Sequence, residues 1–186
     1  MPKDYLQQPV HQVRRADRAV EDETWIKAFL HTAEFGVLAT AVDEQPFVNT
    51  NLYLYDETDH AIYLHTARVG RTRALAEQNI PACFSISEMG RLLPAAEALE
   101  FSVEYKGVTV FGTLSVVPDE ATATVKLQAL LDKYFPHLTA GQDYRPPVPE
   151  ELKRTSVYKL AIENWSAKQK QVADDFPGAF FYSDKL

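Results

Sequence analysis

The sequence predicts a mainly β (α+β) fold: about six antiparallel strands in a closed or partly closed barrel with three peripheral helices. Two observations carry this. Short runs alternate apolar and polar residues with period two, and turn-forming Gly, Pro, Asn and Asp clusters separate them. Helical periodicity is confined to three segments.

In chain order, residues 1–20 are polar and form an N-terminal arm. "EDETWIKAFLHTAEFG" opens with acids that suit a helix N-terminus and places Trp25, Ile26, Phe29 and Leu30 on one apolar face. Gly36 ends that phase, and "VLATAV" reads as a strand bounded by the turn Asp43-Glu44-Gln45-Pro46. "FVNTNLYLY" alternates Phe47, Asn49, Asn51, Tyr53 and Tyr55 with Val48, Thr50, Leu52 and Leu54, which predicts one continuous strand. After "DETDH", "AIYLHT" becomes the third strand of a meander. "VGRTRALAEQNIP" reads as a short helix stopped at Asn79 and Pro81, and "ACFSIS" as a strand. Residues 89–98 are expected to be a loop, and "FSVEYKGVTVFGTLSVV" to be a hairpin split at Gly107 or a strand bulged at Gly112. Val125, Leu127, Leu130, Leu131 and Tyr134 keep helical rhythm up to Pro136; a proline-rich loop follows, and "TSVYKLAIENW" returns to the sheet. The domain is taken as 21–170, with an aromatic tail over 171–186.

At 186 residues, 46% of them apolar, the chain can bury a core without disulfides. Its net charge of −7 argues against broad nucleic-acid binding, which needs a basic face. The lone cysteine, Cys83, and the lack of an apolar run of membrane length lead us to expect a cytoplasmic protein with no membrane partner. Five scattered histidines offer no zinc spacing, so no metal site is expected. Nucleophile-elbow, phosphate-loop and dinucleotide-fold glycine motifs are missing.

Against that acidic background, "IYLHTARVGRTRAL" gathers Arg68, Arg71 and Arg73 where a strand meets a helix. A helix beginning near Val69 or Gly70 presents unpaired backbone N–H groups, and Gly70 allows close approach to the backbone. Arg71 shares a face with Leu75 and so leans toward the body of the protein; Arg73 should point elsewhere. Arg71 is thus the first choice for an anion contact, followed by Arg68 or Arg73, although spacing alone favours a solvated arginine face balanced by Glu77. His65 and Thr66 end the strand beside it, and Asn49 and Asn51 either line a ligand or form a surface face.

The order "FGVLAT", "QPFVNTNLYLYD", "IYLHTARVGRTRALAEQNIPACFSI", "YKGVTVFGTLSVV", "LLDKYFP" and "ELKRTSVYKLAIENWSAKQ" resembles the pyridoxamine 5′-phosphate oxidase-like flavoproteins of the FMN-binding split-barrel type, and within them the 5-nitroimidazole-resistance (Nim) branch. The resemblance spans about Arg14 to Lys170. It implies a homodimer with FMN, rather than FAD, in clefts between subunits. Thr66, Ala67, Gly70 and Arg71, with Arg73 beside them, would hold the phosphate, and Val48, Asn49, Thr50 and Asn51 would run along the ring and ribityl chain. His65 would stand near the flavin and take part in chemistry or cofactor contact, while Trp165 and Lys168 would close the partner's site.

Two departures matter. Nim relatives commonly carry Pro-Leu-Asn where this chain has Thr50-Asn51-Leu52, which moves the asparagine to the opposite strand face. "ENWSAKQK" does not reproduce the arginine-containing substrate motif of true pyridoxamine phosphate oxidases, so that reaction is not implied. The expected function is an FMN-dependent oxidoreductase reducing a small acceptor such as a nitroaromatic or quinone. The alternatives are a flavin storage or sensing module, and a barrel-shaped interaction protein that has lost its cofactor.

Overall fold

A computed structural model describes residues 4–186. Among these are seven strands: β1 (Gly36–Val42), β2 (Gln45–Asn51), β3 (Leu54–Asp56), β4 (Ala61–Ala67), β5 (Ile80–Leu93), β6 (Ser102–Val116) and β7 (Thr155–Lys170). The α-helices are α1 (Glu23–Thr32), α2 (Arg71–Ala76) and α3 (Glu120–Tyr134). Hydrogen bonds link the strands in the order β2-β1-β5-β6-β7-β4-β3, a sheet that does not close on itself. The chain forms two compact units, and the boundary falls inside β5, β6 and β7.

One unit comprises Glu34–Phe84 and Val110–Asn164. In it β1 and β2 form an antiparallel hairpin from Gly36↔Asn51 to Val42↔Gln45. The turn is tighter than the sequence suggests. Asp43 and Glu44 alone make it, both with positive φ, the conformation that matches the twist of paired strands.

The run Phe47–Tyr55 is not one strand. It breaks at Leu52-Tyr53, and the second piece, β3, pairs with β4. The predicted meander is therefore absent: β2 and β3 occupy the two ends of the strand order. Long-range partners make the break. The Tyr53 N–H donates to the Tyr134 hydroxyl (3.1 Å), and its carbonyl accepts from Lys133 Nζ (3.2 Å), so this residue's polar groups leave the ladder yet stay satisfied. β4 pairs with β7 from Ala61↔Ala161 to Ala67↔Thr155. Ala61, Ile62, Tyr63 and Leu64 are all buried, so this strand is covered on both faces until it reaches His65.

Helix α3 starts at Asp119, whose carboxylate accepts the Thr122 N–H at 2.7 Å. It covers Ala61, Tyr63 and Val157 with Ala123 and Leu127. β6 runs unbroken through both glycines, contrary to the expected split. At Gly112 the missing side chain lets the strand lie against the Ala161 carbonyl, where a Cβ would collide with backbone.

The other unit holds the described residues up to Ala33 together with Ser85–Thr109 and Trp165–Leu186. Asp22 caps α1 through the Thr24 N–H, and Ile26, Phe29 and Leu30 are buried with Trp25 stacked on Phe29. The stretch expected as a loop continues β5 as far as Leu93. Its partners are remote in sequence: Arg91 grips Glu104 in a two-pronged ion pair (2.8 Å each), and Leu92 exchanges backbone hydrogen bonds with Phe180. Glu104 also accepts the Val172 N–H at 2.9 Å, which fastens the C-terminal tail; the hydrogen bonds from Arg91 hold its carboxyl pKa down, to about 2. Among the described residues no helix is long and apolar enough to cross a membrane, and no three His, Cys, Asp or Glu side chains converge to hold a metal ion.

Candidate functional site

β4 delivers His65, Thr66 and Ala67 to its end, and four residues later α2 begins. Gly70 makes that junction possible. Its φ of +136° is a conformation side chains rarely adopt, and open space lies where a Cβ would project. The first turn of α2 thus has an uncovered approach.

Thr72, Leu75 and Ala76 form the buried face of α2. At about 100° per residue, Arg71 and Arg73 flank that face on opposite sides. This corrects the expectation that Arg71 leans inward while Arg73 points away. Arg73 is the more enclosed: its Nε donates to Glu77 Oε1 (2.7 Å) and its Nη1 to the buried Ser156 Oγ (2.9 Å). Arg71 is exposed, with no carboxylate partner among the described residues, and its guanidinium lies 5.5 Å from the Phe47 ring centroid. Arg68 is tied to the chain before β7, its Nη1 donating to the Leu152 carbonyl at 2.6 Å. Arg68 and Arg73 line a cleft of about 420 Å³ that includes Thr155 and Ser156.

β2 approaches the same helix start. Its alternation holds: Phe47, Asn49 and Asn51 are half-buried, while Val48 and Thr50 are exposed. Asn49 Nδ2 reaches Thr72 Oγ1 at 3.5 Å, a long contact, and Asn51 Nδ2 donates to the Asn49 carbonyl at 2.9 Å. The fold therefore brings Asn49 and Arg71 to one place through Phe47 and Thr72.

The hydroxyls of Thr66 and Tyr158 lie 2.9 Å apart, and Thr66 Oγ1 also lies within donating distance of the Ala67 carbonyl (3.1 Å). A threonine has one hydroxyl proton, so if it goes to Ala67, Tyr158 donates to Thr66. His65 sits opposite Val157 in the β4–β7 ladder, and its side chain makes no hydrogen bond with the described residues. The residue is exposed, yet the protein around the imidazole removes enough water to push its pKa below the ordinary histidine value.

Trp165 and Lys168 lie on β7 in the unit that contains the tail. Trp165 lines an open cleft of about 820 Å³ with His11 and Ile26, and Lys168 a depression of about 330 Å³ with Ser87, Lys106 and Thr109.

Sequence reasoning missed Phe47, Ser156 and Tyr158. The first had no signal beyond alternation, and the other two reach the site only through the β4–β7 register. As a donor set for a phosphate the junction fits: the Arg71 guanidinium has no carboxylate partner among the described residues, and open space lies at the Gly70 turn beside it in the chain.

Residues 22–169 match the family described as pyridoxamine 5′-phosphate oxidase. No curated protein matches the sequence. Among solved structures, an FAD and haem binding protein from Mycobacterium smegmatis is 24% identical, with 85% of this chain and 76% of that one covered and a TM-score of 0.74. The flavocytochrome Anf3 from Azotobacter vinelandii is 23% identical over 92% of this chain and 84% of its own, with a TM-score of 0.75. A Bacteroides thetaiotaomicron protein assigned to 5-nitroimidazole antibiotic resistance is 16% identical over 81% and 86%, with a TM-score of 0.65. These likenesses establish a shared split-barrel fold.

Proposed function

The chain belongs to the pyridoxamine 5′-phosphate oxidase family, and on that premise we propose that it is an FMN-binding oxidoreductase that reduces a small acceptor such as a nitroaromatic or a quinone. The observation that carries the reading is Arg71: a guanidinium without a carboxylate partner among the described residues, beside the open turn at Gly70, in an acidic protein. Flavin binding by the M. smegmatis and A. vinelandii proteins supports it from the side of fold.

In this reading the flavin supplies the redox chemistry that the side chains lack. The chain binds and orients. Arg71 and the Gly70 turn hold the phosphate, with Thr66, Ala67 and Arg73 beside them, and the Val48–Asn51 strand lies along the ring and ribityl chain. His65, neutral near pH 7 because its pKa is lowered, is free to accept a hydrogen bond from an acceptor's hydroxyl or to shuttle a proton on the acidic side. Val48, Leu52 and Val69 are exposed apolar residues around this junction, and a second copy of the chain would cover them, bringing its Trp165 and Lys168 to close the cleft. The lone cysteine suits a reducing compartment, the cytoplasm.

The test is anaerobic. Flavin-loaded protein is mixed with NADH or NADPH, and a nitroaromatic is then added. Bleaching followed by stoichiometric recovery of colour is the expected result. Flavin that binds but stays oxidised under every donor would make the protein a storage or sensing module instead.

A further inference from the structure

The cleft of about 420 Å³ lined by Arg68 and Arg73 lies within one compact unit of the chain and joins two unlike surfaces. Ala123, Leu152 and Val157, buried members of the hydrophobic cluster under α3, line it together with Val117. No aromatic side chain does so among the described residues. The polar lining includes Arg68, Arg73 and Ser156, with Glu77 and Glu120.

Both guanidiniums are fixed by hydrogen bonds that leave donors over. Arg68 gives an Nη1–H to the Leu152 carbonyl at 2.6 Å, and its backbone N–H goes to the Arg154 carbonyl at 2.9 Å. Arg73 gives its Nε–H to Glu77 and an Nη1–H to Ser156, while its Nη2 has no partner among the described residues. A guanidinium carries several N–H donors, so each arginine keeps some for a ligand. Ser156 is only 4% exposed, and its Oγ accepts from Arg73. The hydroxyl proton has no acceptor among the described residues, so it too can serve an oxygen in the cleft. Two carboxylates balance the two guanidiniums: Glu77 on Arg73, and Glu120, which has no ion pair among the described residues. The cleft thus offers directed donors with little net charge. That suits a single negative charge better than the nearly double charge of a phosphomonoester.

We propose that this cleft is a second anion site, for a small monocarboxylate with a branched aliphatic body. The carboxylate accepts N–H donors from Arg68 and Arg73 and the hydroxyl of Ser156, and the hydrocarbon lies on Val117, Ala123 and Val157. A branched-chain acid and a branched-chain α-amino acid share this chemistry; Glu120 adds a partner for the ammonium group of the second. The site is separate from the position proposed for the flavin phosphate, because Arg71 flanks the buried face of α2 on the side opposite Arg73. The inference does not rest on flavin binding.

Isothermal titration calorimetry of the intact protein, with FMN in excess so that a flavin position is filled, tests it with isocaproate, leucine, isohexanol and inorganic phosphate. Isocaproate or leucine should bind saturably, and the tighter of the two identifies the source. Isohexanol, which lacks the carboxylate, and phosphate, which lacks the hydrocarbon, should each bind more weakly by about tenfold or more. Arg68→Gln removes charged donors from an exposed side chain and should weaken carboxylate binding by about tenfold or more. Ser156→Ala should weaken it by roughly threefold to tenfold, with melting curves reporting that each variant folds. Arg68→Gln keeps the test decisive if the buried Ser156→Ala does not fold. Arg71→Ala should bind the carboxylate as the wild type does. The proposal is overturned if neither carboxylate binds saturably, if isohexanol or phosphate binds as well, if Arg68→Gln keeps full affinity, or if the carboxylate is lost in Arg71→Ala.

Discussion

Arg71 differs from the other two arginines of its run by what it lacks. Arg73 is committed to Glu77 and Ser156, and Arg68 to the Leu152 carbonyl, but Arg71 rests, among the described residues, on the Phe47 ring alone. Replacing Arg71 with Ala should leave stability nearly unchanged and weaken FMN binding by about 1.5–3 kcal/mol, the worth of a charge-assisted bond; equilibrium dialysis reads it. His65 makes a prediction in pH. Its folded pKa lies below the unfolded value, so between the two the unfolded chain binds more protons and stability falls as pH falls. A His65→Gln variant removes that slope. The melting temperatures of the two proteins should differ least at pH 8 and diverge, to the wild type's disadvantage, as pH drops below about 6.5.

At the scale of elements, local signals and long-range partners divide the chain. α1, α2 and α3 were legible because each carries apolar residues at helical spacing. An Asp119→Ala substitution should cost α3 about 0.5–2 kcal/mol in denaturant unfolding, with the midpoint moving and the slope unchanged. The break at Tyr53 and the continuation of β5 past Met89 were not legible. The first depends on Lys133 and Tyr134, 80 or more positions away, and the second on Glu104 and Phe180, which no local window contains. The run was read as split at Gly107 or bulged at Gly112 because a glycine inside a strand signals either irregularity or close approach, and only the partner strand decides between them. Gly112→Ala should therefore destabilise the β6–β7 contact by about 1–3 kcal/mol or prevent folding, since the collision is with the backbone at Ala161.

For the whole molecule, the candidate site was half legible. Arg71, Gly70 and Asn49 could be nominated from spacing and resemblance, and the fold gathers them around α2. The supports, Phe47, Ser156 and Tyr158, sit on strands whose register no sequence pattern fixes. The proposed function includes a second copy of the chain covering Val48, Leu52 and Val69, which are exposed apolar residues. Sedimentation of the purified protein should give twice the 21.0 kDa chain mass, and Val48→Glu should shift it toward the monomer with loss of bound flavin.

The central claim is that the strand-to-helix junction at "HTARVGR" holds the phosphate of FMN. Titrating apo-protein with FMN and with riboflavin, which differ by that phosphate alone, tests it most directly. Wild-type protein should bind FMN more tightly than riboflavin by tenfold or more, and Arg71→Ala should erase the difference while leaving riboflavin affinity as it was. Equal affinity of the wild type for the two flavins, or a preference for FMN that survives in Arg71→Ala, would contradict it.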